Sequence, residues 1–237
     1  MSDPSAELRL IALRDGWVVT GDRRALFADC YRLMTQRMLE GLAAGGFHDP
    51  VWVARLLDRF ADYYFEAVDA VEAHEVTDPL DTCPAVWRVA FDACADPCCH
   101  PLQALLLGIN AHINHDLALA IVDVLDDWPG LDEAARDARR ADHRRVNDTI
   151  RATTDEVQRD VVAAWAPSTT VLDEWFGGID EWVFAEVVEV FRDQVWDDAM
   201  RLLAVPVELR AEAADEIAGR AARTAAVIML GRHPAPG

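Results

Sequence analysis

The chain holds 237 residues and carries a formal charge of −20, and each of its 22 basic residues is an arginine. So acidic a surface is repelled by phosphate backbones and anionic headgroups, which argues against nucleic acid and membrane as partners. The length suits one compact body that buries roughly 70–75% of its unfolded surface around a single core.

The opening stretch MSDPSAELRLIALRDG is polar and mixed, unlike a leader. No uninterrupted apolar run of about 18 residues occurs, so a soluble, cytoplasmic protein is expected. Five cysteines fit that compartment, since the number is odd and Cys98 and Cys99 are adjacent. A zinc site built from Cys83, Cys94, Cys98, Cys99 and His100 would need paired knuckles. Cys94 and Cys98 supply one pair and nothing supplies the second, so thiols in a tight loop are expected.

The apolar pattern is helical nearly everywhere. A short helix is expected from about Ala6 to Leu13. Gly21 or Asp22 then caps a helix through Leu42, with Leu26, Phe27, Cys30, Leu33, Met34 and Met38 at helical spacing and Gly45-Gly46 as its stop. Asp49 as N-cap and Pro50 as first helical residue open the next, which runs to about Ala73. Its apolar stripe is Trp52, Leu56, Phe60, Tyr63, Tyr64 and Ala67, interleaved with Arg55, Arg59, Asp62, Glu66 and Asp69 as a solvated face. Thr77–Cys83 is a connection, and Pro84 opens a shorter helix with Trp87, Ala90, Phe91 and Cys94 inward.

After the cysteine loop comes the most apolar long run, Leu102–Val122, expected to be a central buried helix within 102–125. Trp128-Pro129-Gly130 stops it. Asp132 starts an arginine-rich helix to about Ala164, with Val146, Ile150, Val157 and Val161 on one side. Pro167 breaks the chain, Thr170–Ala204 is helical and tryptophan-rich, and a last helix ends before Gly231, with a short disordered tail from about 232. The fold class is therefore all-α, a single domain over 1–237 built as a bundle of about seven helices with short connections.

The middle of the central run carries Asn110, His112, Asn114, His115 and Asp116. Burying such groups unpartnered costs about 1–3 kcal/mol apiece or more, so they require a hydrogen-bonded network or a bound ligand. Residues four apart share a helix face. His112 and Asp116 form one such pair, Asn110 and Asn114 another, and His143 with Asn147 repeats the spacing on a later helix. His48, at a helix start, is a further candidate. His74, His100 and His233 lie in polar contexts and read as solvent-facing.

His112, Asp116 and His143 together suit Zn²⁺ or Fe²⁺ and leave coordination positions open. Without a metal the same three serve as general acid and base, with Asp116 orienting an imidazole. The plainer reading is that His112 bonds to Asp116 and the asparagines cap neighbouring helices. A ferritin-like di-iron site needs Glu-x-x-His motifs, and none occurs. Asp126, Asp127 and Asp132 could bind Mg²⁺-diphosphate as in a terpene cyclase, but Pro129-Gly130 breaks the helix that would present them.

GINAHINHDL (Gly108–Leu117), with RFADYYFEA (Arg59–Ala67), AVWRVAFDA (Ala85–Ala93) and ADHRRVND (Ala141–Asp148), resembles a bacterial all-α family of unknown function. The likeness covers roughly residues 20–200, and its most specific piece is N-A-H-I-N-x-D-L. It implies a shared polar centre of Asn110, His112, Asn114 and Asp116, joined more weakly by Arg59, Asp62, Trp87, His143 and Asn147. His115 falls at a variable position of the motif. The cysteine loop and Trp175–Trp196 are not family motifs.

The expected function is that of an enzyme acting on a small, largely apolar molecule in a pocket of the bundle. His112, Asp116 and His143 are its catalytic or metal-binding centre, with zinc or iron as the cofactor in the second case. Asn110, Asn114, Asn147, Arg59 and Trp87 bind substrate. Cyclisation, isomerisation and metal-dependent hydrolysis all fit this centre. The alternative is a non-catalytic binding or interaction protein whose buried network is structural. The partner is a small molecule, and a homo-oligomer is compatible with either reading.

Overall fold

Local signals set most helix boundaries in the computed structural model, which describes residues 5–74, 83–165 and 181–230. Helix α1, Ala6–Thr20, starts at Ser5, whose hydroxyl accepts the Leu8 N–H, and ends at Gly21 in the left-handed region (φ 72°). It outruns the expected Ala6–Leu13 because its second half is anchored. Arg14 pairs with Asp29 at 3.3 Å, and Trp17 is buried beneath the Arg24 guanidinium, 4.6 Å from the ring centroid. Helix α2, Arg24–Ala43, follows with Arg23 as its N-cap residue, while Asp22 accepts the Arg24 N–H at 2.9 Å.

Helix α3, Pro50–His74, begins as expected, with Asp49 accepting the Trp52 N–H at 3.0 Å. Helix α4 is Ala85–Ala95. Helix α5, Pro101–Asp123, is the central one. His100 caps it, its Nδ1 accepting the Leu102 N–H at 3.2 Å, so this histidine does not simply face solvent. Helix α6 (133–165) starts at Asp132, which accepts the Ala135 N–H at 2.8 Å. Helices α7, Glu181–Ala204, and α8, Arg210–Leu230, complete eight among the described residues, one more than expected. The connection over 77–82, the Pro167 break, Trp175, His233 and the tail from 232 lie outside the described residues, as does the side chain of His74.

The all-α bundle is organised around α5, which packs against α2, α3, α4, α7 and α8. Its first half (Leu102, Leu105, Leu107, Ala111) belongs to one apolar cluster with α1, α2 and α4. Its second half (Leu117, Ala118, Ile121) belongs to another with the start of α3 and with α7. By length and composition α5 could cross a membrane, yet 61% of its most apolar stretch is buried inside the bundle. Gly108 lets the Phe27 ring lie against the helix, since a Cβ there would meet Phe27 Cδ2 at 2.7 Å. On the opposite side two amides fasten α8: Gln103 Nε2 donates to the Ile228 carbonyl at 2.7 Å and Asn110 Nδ2 to the Ala221 carbonyl at 3.0 Å.

Helix α5 is not uniform. Residues His112–Asp116 form a π-helical turn in which the Leu117 N–H reaches back five residues to the His112 carbonyl. Such turns are rare, and they are common at functional sites. A second π-helical stretch, Val157–Val162, lies in α6.

Candidate functional site

The π turn falls between the two apolar clusters, where α5 presents its polar residues to the interior. Asp116 is its hub. One carboxylate oxygen accepts Trp87 Nε1–H at 2.8 Å and His112 Nδ1–H at 3.2 Å, and the other meets His115 Nδ1 at 2.7 Å. Burial alone would raise the Asp116 pKa, but the bonds from His112 and His115 hold it below the usual carboxylate value. Burial pushes His112 the other way, below the ordinary imidazole value, and the nearby carboxylate only partly offsets this. The pair is therefore an ionised aspartate and a neutral imidazole. With Nδ1–H given to Asp116, the lone pair is on Nε2.

That Nε2 is buried and has no hydrogen-bond partner among the described residues. The His112 ring is clamped by aromatics, stacked on Phe60 at 3.5 Å between centroids and edged by Tyr31 at 4.4 Å and Phe27 at 5.8 Å. Tyr31 keeps its phenol proton, because burial, reinforced by the Asp116 charge, raises its pKa well above the ordinary value.

His112 lines a cavity of about 760 Å³ between α2, α3, α5, α6 and α7, within the range of small-molecule sites. Most of its wall is apolar, with Met34, Met38, Leu56, Leu105, Ile109 and Ile150 among the lining residues. Both π-helical stretches border it, through His112 and Ile113 on one side and Val157, Gln158 and Val162 on the other. Three further lining residues carry buried polar atoms without partners among the described residues: Tyr31 Oη, Thr35 Oγ1 and Trp52 Nε1. A native interior seldom leaves buried polar atoms unpaired, so four among the residues lining one cavity mark it as the candidate site.

The remaining expected site residues are dispersed. His143 lines the same cavity from α6, but both of its ring nitrogens are used. Nε2–H donates to the Arg192 carbonyl at 3.0 Å, and Nδ1 faces Arg192 Nη2 at 3.4 Å. Burial, then the Arg192 charge, drive its pKa well below the ordinary value. Asn147 accepts Arg192 Nε–H at 2.8 Å. Asn110 and Asn114 bond to each other at 2.9 Å as Asn110 ties down α8. Trp87 holds Asp116 and does not line the cavity. Arg59 lies in a surface group with Asp123 and Glu66, both at 2.7 Å, and over the Tyr63 ring. His48 bonds through Nδ1 to Asp142, which also accepts the His48 and Asp49 N–H groups ahead of α3.

His112, Asp116 and His143 thus do not form one ligand set. Among the described residues no group of three or more His, Cys, Asp or Glu side chains is arranged to hold a metal ion, the cysteine loop included. No disulfide joins the five cysteines.

A family described as being of unknown function (DUF5995) matches residues 6–231. The chain belongs to that family. The match takes in all eight helices, beyond the span of roughly 20–200 expected from the motifs. No curated protein and no solved structure matches the chain.

Tyr31, Thr35 and Arg192 escape a reading focused on the central run, although each leaves a trace in the sequence. Phe27, Tyr31 and Thr35 recur every four residues on α2, placing two hydroxyls on its core face. Arg192 stands at helical spacing among Val188, Val195 and Trp196, a lone cation on an apolar stripe.

Proposed function

We propose that this cytoplasmic protein is an enzyme that takes a small, largely apolar molecule into the cavity between α5 and α6, with His112 as the general base. The observation that carries this reading is the His112 Nε2, which has no hydrogen-bond partner among the described residues, on a ring that lines the cavity and whose other nitrogen is fixed by Asp116. A neutral imidazole oriented by a carboxylate is a competent proton acceptor near neutral pH. Tyr31, protonated and edge-on to the same ring, supplies a proton donor. Proton-transfer reactions such as isomerisation or elimination with ring closure fit this pair, and nothing in the reading routes them through a metal.

The test has two stages. Binding of Nile red, a neutral apolar dye, should be seen with the wild-type protein and be blocked by Ile109→Trp, which fills the cavity; no binding overturns the reading. The apolar small-molecule fraction of a bacterial extract is then incubated with wild-type protein and with His112→Asn and profiled by mass spectrometry. Species consumed by the first and spared by the second support catalysis. Dye binding without any consumption favours the alternative, a carrier, for which the closely packed aromatic clamp around His112 also speaks.

A further inference from the structure

The cavity wall holds one group that the proposed chemistry does not use. Arg192, on α7, is 3% exposed and lines the cavity. A buried guanidinium is normally matched by a carboxylate, because an uncompensated charge in the interior is costly. Among the described residues its contacts are all neutral: Asn147 Oδ1 and the His143 carbonyl, each at 2.8 Å, and the His143 ring at 3.4 Å. Its sequence neighbour Asp193 is exposed and faces Arg144 at 3.4 Å. Asp142, the one carboxylate lining the cavity among the described residues, already has both oxygens engaged at the start of α3. Burial pushes the Arg192 pKa down only to about 10, so the cation persists at neutral pH. The described residues form no hydrogen bond to its Nη1.

We propose that the ligand of this cavity is an amphipathic carboxylate, an acid bearing an extended apolar chain, with its head at Arg192 and its chain in the apolar cavity toward His112. This rests on the small-molecule reading of the cavity and adds the class of molecule. Arg192 is the sole cationic side chain among the described lining residues, with both lining histidines neutral. That suits a monoanion better than a phosphate, which ordinarily recruits several donors. The −20 charge of the chain repels small free anions, so affinity must come from the apolar part of the molecule.

The experiment uses full-length protein stripped of bound lipid on a hydrophobic resin and loaded with Nile red. Dodecanoate and dodecanol are titrated against the dye at about pH 8, where the acid is ionised and Arg192 charged. A merely greasy pocket prefers the alcohol. The proposal expects the acid to displace the dye at a concentration lower by about tenfold or more. That advantage should vanish in Arg192→Gln and largely persist in Arg192→Lys, while dodecanol is unaffected in either. Equal competition in the wild-type protein, or an advantage that survives Arg192→Gln, overturns the carboxylate assignment and leaves the cavity reading standing. Absence of dye binding overturns both. The wild-type comparison decides the matter even if Arg192→Gln loses its fold.

Discussion

His112 and His143 line one cavity from α5 and α6, and each is followed four residues later by a polar side chain. In sequence they are equivalent. In the structure one is bonded on a single side, with Nδ1 to Asp116 and Nε2 left over, whereas the other is bonded on both sides by a single arginine. Burial neutralises both rings and so does not tell them apart. The difference lies in the partner. A carboxylate takes one proton and leaves the far nitrogen free, but an arginine offers a carbonyl and a guanidinium and uses up the ring. A buried histidine is a site only where one nitrogen is left over, and that depends on residues far away in the chain.

The comparison breaks most severely at Asp116. Asp116→Ala strips the acceptor from Trp87, His112 and His115 together and should cost about 3 kcal/mol or more in urea unfolding. A loss below about 1 kcal/mol would mean that the hub is not formed as described. Next, His143→Leu should cost about 1–3 kcal/mol, because the Arg192 carbonyl and guanidinium lose a buried partner. Nile red binding should survive it, and loss of dye binding in a folded variant would give His143 a direct role.

A gentler effect comes from pH. His143 is held neutral in the folded chain, well below its ordinary value, whereas an unfolded imidazole titrates near pH 6.5. As pH falls the unfolded chain takes up the proton first, so stability present above about pH 6.5 is lost progressively below it. Urea midpoints between about pH 7.5 and 5 should decline in the wild-type protein and decline less in His143→Leu. An unchanged slope would place the proton uptake elsewhere. The smallest change in stability, within about 1–2 kcal/mol, is expected for His112→Asn, whose amide can still donate to Asp116. It should nevertheless abolish turnover. A variant that kept turnover would remove His112 from the mechanism.

Helix starts were legible because their signals act within three or four residues, as at Asp49 and Asp132. The polar centre was legible for the opposite reason: Asn110, His112 and Asp116 contradict the apolar run that surrounds them. Their partners were not legible. Trp87 reaches Asp116 across 29 residues and Arg192 reaches His143 across 49, and no spacing rule spans such distances. The π turn was also hidden, since a helix that gains one residue in a turn keeps the same composition while its side chains rotate to new neighbours. The residues expected to converge form separate groups: His112 with Asp116, Asn110 with α8, and His143 with α7.

The two amides that join α5 to α8 bear on how the chain is made. Gln103 and Asn110 sit about two turns apart on α5, and their acceptors, Ile228 and Ala221, sit about two turns apart on α8 in the reverse order. Without α8 both donors, on side chains buried in the bundle, would lose their acceptors. The contacts span 125 and 111 residues, so during synthesis α5 emerges long before the carbonyls that complete it. At about 5–20 residues per second the ribosome needs several seconds or more to deliver them. The most apolar helix of the protein therefore waits, one face open, until the last described helix arrives to cover it.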